Sequence, residues 1–267
     1  MRFYKYAAWI GDVGNYTRKN LMNNVVYLNS PDRFNDPFDF NPVYDSDSTY
    51  QEKLSHFIGI NIRHKKLTKE KARRAAIQTL KNHPAFKNKE NLAKFVYGSK
   101  EWMRKQFGVT CFSSDPKSSP MWHHYADQHK GICIEWELPE DRSVFSLPDN
   151  AKKCAAIWRK VEYAEERPIS RIFDDQVTPD SPLYLSLLTK SIDWKYEKEY
   201  RLIVANYIGQ ANYNPLFLTG IIIGFKMPEN TINEFKEFIR HYLTVSPRLF
   251  RAHPSKYGYN YDLEPLR

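Results

Sequence analysis

The apolar residues of this chain come in short runs broken by turn formers, and that spacing limits what it can fold into. Residues 2–10 alternate apolar and basic side chains, as a half-buried strand does. Val25-Val26-Tyr27-Leu28 and Val109-Thr110-Cys111-Phe112-Ser113 are β-branched and aromatic, hence strands. Further runs lie at Ile132–Trp136, 153–164, 199–207 and 216–225, with a short last one at Leu249–Ala252. A helix capped by Asn15 or Thr17 is expected to end near Asn24, and another to start after Ser118 or Ser119 with Pro120 in its first turn. Residues 182–190 form a third, and 165–181 read as loop. From Pro228 on, Ile232, Phe235, Phe238, Ile239 and Tyr242 keep the spacing of an amphipathic helix. Strands linked by short helices and loops, without regular strand–helix alternation, predict an α+β fold on a mixed or antiparallel, split sheet.

One segment departs from this pattern. Residues 50–107 read as helices over 50–63, 68–82 and 88–107, with Thr68 as a cap and Pro84 as a break. The formal charge of the chain is +9. Residues 61–107 hold 14 Lys or Arg against 3 Glu, while the remainder holds 26 basic and 28 acidic residues, so the excess lies in these helices. The expected organisation is a single domain over 1–267 with 50–107 as a basic helical insertion. Such a surface suits a polyanion through counterion release and steering, or is merely a solvated face. Lys65, Lys66, Arg73 and Arg74 are the candidate nucleic-acid contacts. Three scattered cysteines fit a reducing compartment, and the chain has no signal-peptide pattern and no long apolar run. A cytoplasmic protein without a membrane segment is expected.

The stretch Trp194-Lys195-Tyr196-Glu197-Lys198-Glu199-Tyr200-Arg201-Leu202-Ile203-Val204 carries the clearest chemistry. Residues two apart on a strand share a face, so Glu197, Glu199 and Arg201 are expected to look the same way. A buried acid–acid–base row is costly unless the charges are paired or used. It is either a surface ion pair at a strand end or a catalytic carboxylate at a strand mouth. The loop Arg33-Phe34-Asn35-Asp36-Pro37-Phe38-Asp39-Phe40 either bonds its own backbone while its rings pack down, or shapes a ligand pocket. Adjacent His123 and His124 point apart, and no metal-ligand spacing is present. Glycine-rich phosphate loops and nucleophile elbows are absent.

Several motifs in order resemble one family. They are Tyr4-Lys5-Tyr6, Phe34-Asn35-Asp36-Pro37-Phe38-Asp39, Cys111-Phe112-Ser113, the stretch Met121-Trp122-His123-His124-Tyr125-Ala126-Asp127, and Trp194–Arg201. Together they look like a widespread bacterial and phage family catalogued as a domain of unknown function. The Glu197-Lys198-Glu199 pattern entering a strand also resembles the ADP-ribosyltransferase superfamily, which grips NAD on a split sheet. Its first-strand slot, His or Arg in that superfamily, falls on Tyr4, Lys5 or Tyr6, and its Ser element on Ser30 or Ser113. The resemblance implies an NAD-dependent ADP-ribosyltransferase acting on RNA, single-stranded DNA or protein, plausible as a toxin or phage-defence effector with an antitoxin or inhibitor partner. It implies Glu199 and Glu197 as the catalytic carboxylates. It implies Lys5, Tyr6, Ser30, Asn35, Tyr125 and Arg201 as NAD contacts, with Lys5 or Arg201 on the pyrophosphate. The alternative is a non-catalytic nucleic-acid- or partner-binding protein with the acids in structural ion pairs. A hydrolase using His124, His129 and Asp127 ranks last.

Overall fold

The computed structural model describes residues 1–45, 47–139, 145–171, 173 and 182–266. Its elements begin with β1 (Arg2–Ala7), α1 (Gly11–Met22), β2 (Val25–Leu28), β3 (Val43–Asp45), α2 (Tyr50–Lys65), α3 (Lys69–Asn82) and α4 (Lys89–Arg104). There follow β4 (Phe107–Ser113), α5 (Ser119–Tyr125), β5 (Ile132–Glu137), β6 (Phe145–Ser146), β7 (Ala156–Lys160), β8 (Glu162–Ala164) and β9 (Ile169–Arg171). The last third holds α6 (Pro182–Leu188), β10 (Thr189–Ser191), β11 (Glu199–Ala205), β12 (Gly209–Tyr213), β13 (Leu218–Ile223), α7 (Glu229–Tyr242), β14 (Arg248–Pro254) and β15 (Tyr261–Pro265). The fold is α+β. Among the described residues no helix is long and apolar enough to cross a membrane.

The chain divides into two compact units. The first comprises Met1–Ser30, Phe107–Val161 and Asp193–Arg267. It is built on an eight-stranded sheet in the order β15-β14-β13-β5-β1-β4-β11-β7. Every neighbouring pair is antiparallel except β13 with β14. One face is apolar: Phe3, Ile134, Trp136, Trp158, Leu202 and Val204 pack in one cluster with Trp9, α1 and α7. Trp9 meets Phe235 and Phe238 edge-on at 4.8 and 5.0 Å. The helical spacing of α7 holds for Ile232, Phe235, Phe238 and Ile239, whereas Tyr242 is exposed and lies against Phe238. A small sheet, β2-β12-β6, completes this layer. The opposite face carries Tyr4, Tyr6, Cys133 and Ile222 under Met121 and Trp122 of α5.

The second unit comprises Pro31–Gln106 and Glu162–Ile192. Helices α2, α3 and α4 match the expected positions to within a few residues. A Thr49–Glu52 capping box starts α2, and left-handed Lys66 ends it. Leu54, Ala76 and Leu80 form one small core, and Leu92, Val96 and Phe173 another. The short parallel pair β3–β9 joins the later segment to the helical one, and β8 pairs with β10 within the later segment. In the Asn35 loop the Asp36 carboxylate accepts the Phe38 N–H at 2.9 Å, so the loop bonds its own backbone as expected. Of its three rings only that of Phe40 is fully buried; Phe38 faces outward beneath the Arg167 guanidinium.

Three boundaries moved. β1 ends at Ala7, and α1 starts at Gly11 with no side-chain cap, so neither Asn15 nor Thr17 plays that part. The expected strand 153–164 is two strands, β7 and β8, that belong to different units. Of the stretch 165–181, β9 is a strand, and residues 172 and 174–181 lie outside the described residues.

The turn from α5 to β5 is strained. Asp127, Gln128 and His129 are successive left-handed residues, each costing roughly 1–2 kcal/mol. Gly131 and Gly224 make the turn possible, since a Cβ on either would lie 2.3 Å from the Ala7 carbonyl or 2.1 Å from that of His129. The His129 ring is buried, with the Tyr261 hydroxyl 3.0 Å from Nδ1. Burial, then Lys226 and His123, lower its pKa. The unfolded chain therefore takes up a proton near pH 6.5 while folded His129 still resists it. That contribution to stability is intact above this range and is lost as the pH falls below it. Urea unfolding from pH 7 to 5.5 is expected to show a shallower loss of stability in His129→Gln than in the wild type; parallel curves would contradict this.

Candidate functional site

The entrance of β11 is shaped by one left-handed residue. A 3-10 turn spans Ile192–Glu197, Lys198 adopts φ 46°, and the strand begins at Glu199. Alternation starts only at Glu199, so Glu197 belongs to the turn and not to the strand face expected for it. The turn is held to the end of β4. Ser113 Oγ donates to the Glu197 carbonyl at 2.6 Å, the Ser114 N–H donates to the Lys198 carbonyl at 3.1 Å, and Lys198 pairs with Asp115 at 2.8 Å.

Both acids are nevertheless buried, Glu197 to 3% and Glu199 to 4% exposure. The Tyr125 hydroxyl donates to Glu197 Oε1 at 2.7 Å. Arg201, 1% exposed, donates from Nε to Glu199 Oε1 at 2.8 Å and from Nη2 to Oε2 at 3.2 Å. This two-pronged geometry is the strongest form of an Arg–carboxylate contact. Glu199 and Arg201 share a strand face, as expected. Cys111 is the register partner of Arg201. Burial and the neighbouring Glu199 raise its pKa well above the ordinary range, so it is a neutral thiol.

Register extends the site across the sheet. Glu199 pairs with Ser113, Ser113 with Tyr4, and Tyr4 with Glu135. These four buried polar residues form one transverse row on the face opposite the apolar core. Glu135 accepts from the Tyr4 hydroxyl at 3.2 Å, from Thr219 Oγ1 at 2.8 Å and from Arg248 Nη2 at 2.9 Å. A register shift between Leu218 and Gly220 brings Thr219 to it. Burial and then Glu135 hold the Tyr4 hydroxyl protonated. Glu135 and Glu199 stand three strand spacings apart, about 14 Å, too far to act as one carboxylate dyad. Glu135 is not among the residues expected from sequence, although an acid inside Ile132-Cys133-Ile134-Glu135-Trp136 is a visible signal.

The other candidates are dispersed. Tyr6 is buried, donates to the Asp115 carbonyl at 2.7 Å and packs edge-on against Trp122. Lys5 neighbours Tyr4 in β1 and so faces the other side of the sheet, where its ammonium donates to Thr110 Oγ1 and the Cys111 carbonyl. The structure thus separates Lys5 from Glu199. Ser30 is buried just past β2, and Asn35 is exposed on its loop in the second unit. Lys65, Lys66, Arg73 and Arg74 are all exposed on that unit, with Arg74 paired to Glu70. His124 is exposed beside Trp194 and Tyr196. Among the described residues no group of three His, Cys, Asp or Glu is placed to hold a metal ion.

Removing Arg201 would take the two-pronged partner from a buried carboxylate, Glu199. Arg201→Met is expected to cost about 3–5 kcal/mol in urea unfolding, and Glu199→Gln in that background to recover much of it. Strictly additive losses would contradict the pairing.

No curated protein and no solved structure matches the chain. The resemblance to a domain-of-unknown-function family is borne out over the segment that carries Tyr125, Glu197, Glu199 and Arg201: residues 121–202 match the family model described as "Protein of unknown function (DUF2971)".

Proposed function

We propose that the β11 entrance is the catalytic centre of an ADP-ribosyltransferase that uses NAD as substrate. The observation that carries this reading is the pair of buried carboxylates at one strand mouth, each oriented by a different partner, Glu197 by Tyr125 and Glu199 by Arg201. In the reaction the bond between ribose C1′ and the nicotinamide nitrogen breaks, with the electron pair leaving on nicotinamide. The ribose takes on oxocarbenium character, and a fixed carboxylate in a poorly solvated site stabilises that charge without reorganising. Glu199 serves this role, and Arg201 is its positioning residue. Glu197 receives the proton of the acceptor as its nucleophilic atom bonds to C1′. Lys5 takes no part, since it faces the other side of the sheet. The exposed basic residues of α2 and α3 suit a polyanionic acceptor such as RNA or single-stranded DNA.

A second reading is favoured by one specific observation. Arg201 occupies both oxygens of Glu199 in a buried setting, which equally suits a structural ion pair in a non-catalytic nucleic-acid- or partner-binding protein. Incubation with adenylate-labelled NAD, together with RNA, single-stranded DNA or lysate protein, separates the two. Transfer of label with release of nicotinamide is expected from the wild type, and a loss of at least about a hundredfold from Glu197→Gln. No transfer from a folded wild-type protein, together with nucleic-acid binding that falls steeply with salt, would favour the second reading.

A further inference from the structure

The apolar face of the sheet holds a cavity of about 130 Å³ beside β1 and β5. Lys5, Trp136 and Tyr213 line it, with Leu21, Val26 and Ile134 among its apolar walls. Three features set it apart from a packing defect. Trp136 and Tyr213 are 1% and 4% exposed, yet the indole N–H and the phenol hydroxyl find no partner among the described residues. A buried donor left unpaired forfeits the hydrogen bond it made to water, so two on one cavity are unusual. Among the described residues the Lys5 ammonium donates to two neutral oxygens, Thr110 Oγ1 at 3.1 Å and the Cys111 carbonyl at 3.0 Å. Among the described residues no Asp or Glu lines the cavity. Burial pushes the Lys5 pKa down by more than Cys111 and Glu199 push it up, a net cost that a bound anion would offset, and burial keeps the Tyr213 hydroxyl protonated and able to donate.

We propose that this cavity binds a small carboxylate with a short apolar body. Its oxygens would accept from Lys5 Nζ, Trp136 Nε1 and the Tyr213 hydroxyl, and its chain would lie against Leu21, Val26 and Ile134. The volume equals that of about four waters, enough for roughly six heavy atoms, the size of butyrate. The site stands on the face opposite Glu199, so it neither requires nor excludes transferase activity. The test uses the full chain labelled with ¹⁵N-tryptophan, the Trp136 indole signal being assigned through Trp136→Phe. Sodium butyrate, sodium phosphate and sodium chloride are titrated at matched ionic strength. The expected result is a saturable shift with butyrate below about 10 mM, weakened at least tenfold in Lys5→Met and several-fold in Tyr213→Phe. If Lys5→Met does not fold, Tyr213→Phe alone decides. A shift identical with chloride would mean that the cavity holds water only. Saturation by phosphate but not butyrate would overturn the carboxylate assignment. Unchanged butyrate affinity in the folded variants would overturn the site.

Discussion

Arg201 and Glu199 are neighbours on one face of β11, the strand next to the sheet edge, both almost wholly out of water and joined by two hydrogen bonds. Neither could be buried alone, because an unpaired charge at that depth costs several kcal/mol. The pair therefore fixes the register of the elements around it. β4 must present small Cys111 and Ser113 opposite Arg201 and Glu199. Ser113 in turn clamps the carbonyl of Glu197, and the turn so held brings the second carboxylate to Tyr125. Removing one partner of the pair would loosen the strand, the turn and the α5 contact together.

The two faces of the main sheet follow different rules. On one, Phe3, Ile134, Trp136 and Leu202 pack against α1 and α7, and burial of apolar area supplies the stability. On the other, Glu135, Tyr4, Ser113 and Glu199 form a polar row in which each acid is satisfied by named donors. Apolar residues would have filled those positions at lower electrostatic cost, so a polar row in a sheet centre supports a chemical role or a specificity role. Lys5 shows how far the distinction reaches. One residue along from Tyr4, it leaves the polar row and joins the apolar side, where a cavity and two unpaired donors surround it.

Much of this was legible in the sequence, for identifiable reasons. The inner strands are apolar runs, and the spacing of Ile232, Phe235, Phe238 and Ile239 announced α7. The caps and breaks of α2 to α4 are local signals. What failed to show was whatever depends on distant partners. β12 and β15 carry polar or aromatic residues without a clear alternation and exist because β2 and β14 pair with them. The split of 153–164 between two units has no local mark. The left-handed Lys198, which takes Glu197 off the strand face, is likewise invisible, because a lysine gives no sign of that backbone. Glu135 was visible but unread, since its partners Tyr4, Thr219 and Arg248 lie far apart in sequence.

The central claim is that Glu199 acts on the transition state, with a role beyond binding or folding. The most direct measurement is the affinity and turnover of NAD in the same folded sample of Glu199→Gln, by calorimetry and nicotinamide release. The account predicts an NAD dissociation constant within a few-fold of the wild type and turnover reduced by orders of magnitude. A wild-type protein that neither binds NAD nor releases nicotinamide, or a variant that turns over as fast as the wild type, would contradict it.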